Sequence, residues 1–195
     1  MPIALTMTDD IAFMIMVSGG GEDSIDQGVY QWTQQARCRG ASDEEIAIME
    51  QHGAPALKAA TYVEYREAMD ALLTIPNLDI YIGVAIEMQE EDDWGPWPRD
   101  IDAFFNPMEV IEHTTIPVLA IFGEHDTRVD PIQGAEAYQA ALERAGNTEF
   151  HVEVIPDVGH TLTPSKSDGC VTGSGGYAPR YLELIDEWIE RLQTP

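Results

Sequence analysis

Three short stretches of the chain are apolar enough to be buried strands. Residues 11 to 17 (IAFMIMV) form an unbroken apolar run between acids and glycines, and residues 117 to 122 (PVLAIF) repeat it. Runs of this kind fit strands covered on both faces, as in a parallel sheet. Residues 149 to 155 (EFHVEVI) make a third strand with more alternation. Between the second and third lies DPIQGAEAYQAALERAGN, where Asp130 suits a helix cap, Pro131 the first helical position and Gly146 the position past the end. This reads as strand, helix, strand, with a crossover long enough for parallel pairing. The closing APRYLELIDEWIERL places Tyr181, Leu184, Ile185, Trp188 and Leu192 on one helical face, which reads as core packing.

Residues 24 to 110 have a different texture. SIDQ and SDEE each place a serine three residues before Gln or Glu, the capping-box pattern, and predict helices over 24–38 and 42–52. A third helix is expected over 57–73. Residues 78–91 fit helix and strand equally, and the prolines and glycine of DDWGPWPRD exclude regular structure. The expected organisation is a core of residues 1–23 and 111–195, with 24–110 inserted between the first two strands as a helical cap.

The 195 residues suffice for one good core. A formal net charge of −25, with Lys58 and Lys166 the only lysines, excludes surfaces that track nucleic acid or acidic lipid. The acid reads as a solvated surface, and a site selecting cationic ligands is the other reading. Cys38 and Cys170 lack metal-type spacing; spacing alone does not decide a disulfide between them, and free thiols are the default expectation. No apolar run approaches the roughly 20 residues of a membrane span, and the first residues have no basic segment of a signal peptide.

Two loop residues carry the candidate chemistry. The second strand runs into Gly123, so Asp126 lies beyond its carboxyl end, where open α/β sheets place their sites. The third strand ends in VIPDVGHTL, and His160 follows Gly159. If the two strands are neighbours, carboxylate and imidazole emerge on one edge, and an acid that holds an imidazole in one tautomer is the core of a general-base pair. A cap aspartate and a surface histidine are the bland alternatives. His113 and His125 are read as structural, no grouping has metal-ligand spacing, and no cofactor is expected.

The segment from Phe104 to His160, with its G-x-x-D at Gly123 to Asp126 and its Gly159-His160 pair, resembles the carboxyl-terminal part of α/β-hydrolases, in particular the esterase and prolyl-oligopeptidase-like branch. DDIAFMIMVSGGGEDSIDQGVYQ resembles the same branch. The resemblance implies a partial α/β-hydrolase fold from strand six onward: α/β, a short parallel sheet with flanking helices and a cap. It implies that Asp126 orients His160, that His160 is the general base, and that the substrate is a carboxylic ester, small amide or peptide.

Ser18, in MVSGGG, is the candidate nucleophile, yet its surroundings are not those of the G-x-S-x-G turn, because Met16 stands where the first glycine belongs. By the resemblance it ends strand six, and the nucleophile and oxyanion hole lie upstream of Met1, which makes the chain a truncated form. A three-stranded remnant exposes the strand at 11–17 as an apolar edge. The expected partners are therefore a second copy or a chain carrying the missing half of the sheet, besides the small-molecule substrate. Trp94, Trp97, Phe104 and Phe105 are candidates to line an acyl or side-chain pocket. The competing readings are an esterase-like enzyme, a silent binding or assembly module, and one half of a split enzyme.

Overall fold

The computed structural model describes residues 2–8, 10–97, 104–165, 169–170 and 175–193. Lys166, Ser167 and Ser174 fall outside them. The chain forms two compact units, residues 1–22 with 106–195, and residues 23–105.

The first unit is built on a parallel sheet of order β1-β2-β3, with β1 at Met14–Val17, β2 at Val118–Gly123 and β3 at Phe150–Ile155. Every residue of β2 is buried, as its unbroken apolar run requires of the central strand. Its side chains divide between two cores. Val118, Ala120 and Phe122 pack with Tyr138, Ala141 and Leu142 of helix α6, Pro131–Arg144. Leu119 and Ile121 pack with Leu184 and Trp188 of helix α7, Pro179–Gln193. Helix α6 begins as its sequence prescribes, with the Asp130 carboxylate accepting from the amides of Ile132 and Gln133 and Pro131 in the first turn. β1 is shorter than its apolar run, because residues 11–13 precede the ladder, which opens with the Met14 amide donating to the Pro117 carbonyl.

The second unit is helical. Helices α1 (Ser24–Cys38), α2 (Asp43–Lys58), α3 (Tyr62–Leu72) and α4 (Leu78–Ile82) enclose a core that includes Ile46, Met49, Tyr65, Met69 and Leu72. Ser42 with Glu45 and Thr61 with Glu64 form complete capping boxes. SIDQ does not: Asp23, one residue earlier, caps α1 by accepting from the amides of Ile25 and Asp26. Nor does α2 end before Gly53 and Pro55; it runs on to Lys58. Burial of Gly53 and Ala56 on the face begun by Ile46 and Met49 outweighs the hydrogen bond that Pro55 removes. Gly53 serves close packing, since a Cβ there would sit 3.0 Å from both Val29 methyls. The ambiguous segment after residue 78 gives one short helix and then irregular chain. Among the described residues, a short helix α5 (Met108–Ile111) then leads into β2.

Cys38 and Cys170 are both disulfide-bonded, against the expectation of free thiols. Whether a bridge closes depends on Cα separation and direction, which spacing along the chain does not encode. Among the described residues no helix is long and apolar enough to cross a membrane.

Candidate active site

Strands β2 and β3 lie side by side and in parallel, with Gly123 opposite Ile155, so the loops that follow them leave the same edge of the sheet. Two backbone bonds tie the loops together, the Glu124 amide donating to the Ile155 carbonyl and the His125 amide to the Val158 carbonyl, and within the first loop the Asp126 amide donates to the Gly123 carbonyl. The approach is possible only because residue 123 is glycine. A Cβ there would stand 2.5 Å from the Val158 carbonyl oxygen and 2.6 Å from that of Gly159, inside any tolerable contact with backbone atoms.

The side chain of Asp126 is fully buried. Its Oδ1 accepts from the backbone amides of Arg128 (2.8 Å) and Val129 (3.0 Å), and Oδ2 lies 2.9 Å from His160 Nδ1. A carboxylate can only accept, so Nδ1 carries a proton in this bond, and in the neutral ring the lone pair is then on Nε2. His160 is presented by a tight loop in which the Leu162 amide donates to the Gly159 carbonyl and the Gly159 amide to the Thr163 carbonyl. Val158 and Pro164 close that loop with an antiparallel bridge. The imidazole is 30% exposed at the wall of an open groove that Val17, Leu162, Tyr177 and Tyr181 also line. An acid locked from behind by two amides and a part-exposed ring held at Nδ1 is the geometry that a general-base pair requires.

Ser18 continues the β1 ladder, its amide donating to the Ile121 carbonyl, and its backbone takes a positive φ of 49°. It is buried, and its hydroxyl donates to the main-chain carbonyl of His160 at 2.8 Å. The structure thus brings Ser18, Asp126 and His160 together, while the serine proton is directed to a carbonyl oxygen. Trp94 and Trp97 both line a cavity of the helical unit. Phe104 and Phe105 are half-buried and do not line that cavity.

Some features were not legible in the sequence. Tyr177 and Tyr181, beside His160, lie after it in the chain and carry no motif. Glu124, His125 and Asp157 place ligand-type atoms within 4.8 Å of one another, although their spacing suggests nothing. Glu124 Oε2 accepts from the Asp157 amide at 3.0 Å, which braces the two site loops. His113 is exposed beside Glu112, while His125 is largely covered, with its Nδ1 buried and unpartnered among the described residues.

The family model described as "Prolyl oligopeptidase family" matches residues 80–192, a span that contains β2, α6, β3, Asp126 and His160 and leaves Ser18 outside. No curated protein and no solved structure matches the chain. With more than half of its residues in that match and a parallel sheet joined through the strand, helix, strand unit it covers, the chain belongs to the prolyl oligopeptidase family, serine-hydrolase-type members of the α/β-hydrolase superfamily.

Proposed function

We propose that this chain carries the general base and orienting acid of an acyl-transfer hydrolase acting on carboxylic esters or on small amides and peptides. The observation that carries the reading is the Asp126–His160 pair, with its buried carboxylate held by two amides and its imidazole part-exposed at the wall of a groove. In the proposed cycle His160 Nε2 takes the proton of a serine hydroxyl as Oγ bonds to the acyl carbon. It then gives that proton to the departing alkoxide or amine, and a water activated at the same nitrogen releases the acid. Ser18 is this chain's own candidate for the attacking group. Its hydroxyl must first leave the His160 carbonyl, a rotation about one side-chain bond.

That engagement of Ser18 favours a second reading, in which another polypeptide supplies the nucleophile. The outer side of β1 pairs with no strand among the described residues, and Phe13 and Val17 are 39% and 40% exposed beside it. A second copy or a chain carrying further strands of the sheet would pair there.

Incubation with a fluorophosphonate probe, followed by peptide mapping, tests both. An adduct on Ser18 that disappears in His160→Ala supports the first reading. Absence of any adduct on folded protein, with labelling restored by a co-purifying chain, supports the second. Absence of labelling under both conditions overturns the hydrolase proposal for this polypeptide.

A further inference from the structure

The loops that carry Asp126 and His160 are joined by a side chain as well as by backbone, and we propose that this side chain, Glu124, is a positioning residue that sets the orientation of the His160 imidazole. The assignment rests on the reading of Asp126 and His160 as an acid and general-base pair.

The ladder between β2 and β3 ends with Gly123 opposite Ile155, where the Glu124 amide donates to the Ile155 carbonyl at 2.9 Å. In a parallel ladder of this register the next bond would run from the Asp157 amide to the main-chain carbonyl of residue 124. Here the amide goes to the Glu124 carboxylate, with Oε2 accepting it at 3.0 Å. The side chain thus adds one rung beyond the point where the strands stop pairing. That rung falls where the backbone most needs holding. Asp157 has a φ of 57°, a left-handed value uncommon in residues other than glycine, and such a residue keeps its conformation only where its surroundings fix it. Pro156 has no amide to give, so Asp157 carries the only main-chain donor of this two-residue turn. On its other side the turn is held by the Ser165 amide, which donates to the Asp157 carbonyl at 2.8 Å.

The path from Asp157 to His160 is short and packed. Val158 is 3% exposed, its carbonyl accepts from the His125 amide, and it bridges Pro164 across the His160 loop. Gly123 lets this backbone come close, since only a missing Cβ leaves room for the Val158 and Gly159 carbonyl oxygens. Close approach alone does not stop the loop from swinging outward. Glu124 opposes that motion, and an ionised acceptor bonds an amide more strongly than a neutral carbonyl does. The same Oε2 lies 3.7 Å from His125 Nε2, on the loop that also carries Asp126. A slip of about 1 Å in the His160 loop would open the 2.9 Å contact between Asp126 Oδ2 and Nδ1, and the ring would lose the partner that fixes its tautomer.

Nitrogen NMR of the isotope-labelled whole chain at mildly alkaline pH reads that tautomer directly, because protonated and bare ring nitrogens resonate far apart, and His160→Gln identifies the signals. The wild-type ring is expected to be mainly protonated at Nδ1. Glu124→Ala is expected to lower the ratio of Nδ1-protonated to Nε2-protonated ring about fivefold, the worth of one ordinary hydrogen bond, with the urea midpoint near that of wild type. Glu124→Asp keeps the charge but not the reach, so it is expected to act in the same direction, and it decides the matter if Glu124→Ala fails to fold. Glu124→Gln still offers an oxygen to the amide and is expected to stay within about twofold of wild type. Adding Asp157→Gly to Glu124→Ala is expected to restore most of the ratio, because glycine holds the left-handed turn without a brace. An unchanged ratio in folded Glu124→Ala or Glu124→Asp would overturn the positioning role and leave the acid and base pair standing. Equal losses in Glu124→Gln and Glu124→Ala would assign the effect to charge and overturn it as well. A wild-type ring without the Nδ1 preference would overturn the pair itself and this assignment with it.

Discussion

The two units solve the problem of making a core in opposite ways. In the α/β unit β2 is wholly buried, Phe122 meets Tyr138 edge to face at 6.0 Å, and carbonyl oxygens press against the space a Cβ of Gly123 would need. The helical unit rests on capped, amphipathic helices and leaves space among Met49, Met69 and Leu72. A site that must hold an imidazole against a carboxylate needs the first kind of packing, since sub-ångström displacements would loosen it.

The strongest way to break this contrast is to truncate both cores. Phe122→Ala is expected to cost about 4 kcal/mol, because the sheet and α6 cannot collapse into the gap. Gly123→Ala follows at about 3 kcal/mol, with disruption of the His160 loop, because its new methyl meets backbone oxygens that have nowhere to go. Met69→Ala, at a side chain that already borders empty space, is expected to cost only about 2 kcal/mol. Urea unfolding monitored by circular dichroism ranks the three, and a Met69→Ala loss equal to that of Phe122→Ala would remove the distinction between the units.

Smaller changes sharpen it. Ser42→Ala and Thr61→Ala each remove a capping box, at about 1 kcal/mol apiece, and the effect belongs to the helical unit alone. Lys58 offers the smallest effect and a pH signature. Burial disfavours charge on both Lys58 and Asp23, yet their mutual hydrogen bond and charge, with Asp26 also on Lys58 and backbone amides on Asp23, hold the carboxyl below its ordinary value and the ammonium above its own. A depressed carboxyl adds stability above its unfolded pKa near 3.8, and that stability is lost as pH falls through the folded value. A raised ammonium adds stability below 10.5 that is lost as pH rises through the folded value. Lys58→Met is therefore expected to cost about 0.5 kcal/mol near pH 7 and to flatten the dependence of the unfolding midpoint at both extremes. An unchanged acid limb would show that the amides of Ile25 and Asp26 alone hold Asp23.

The elements most legible in the sequence are those with a local cause. Asp130 and Pro131 announce α6 and Ser42 with Glu45 announces α2, because a cap acts within one turn. One misreading is a contest between adjacent local caps, and the other arises where packing overrides a local rule. Asp23 displaces the serine of SIDQ as cap, and α2 ignores Pro55 because Ala56 is buried. At the site, the pairing of Asp126 with His160 was legible because each follows a strand and a glycine, whereas Tyr177 and the brace from Glu124 to the Asp157 amide carry no sequence signal, and Tyr181 signals only an apolar helical face.

The sequence alone therefore determined the strand, helix, strand order, the acidic surface and the acid and base candidates, all of which follow from periodicity, composition and residues beside strand ends. Only the tertiary structure decided that β2 and β3 pair in the register that puts Asp126 Oδ2 2.9 Å from His160 Nδ1. It alone decided that the Ser18 hydroxyl turns to a carbonyl, and that Trp94 and Trp97 border a cavity that Phe104 and Phe105 do not. Hydrogen-bond direction and empty space depend on where non-neighbouring backbones come to rest, and no local pattern encodes that.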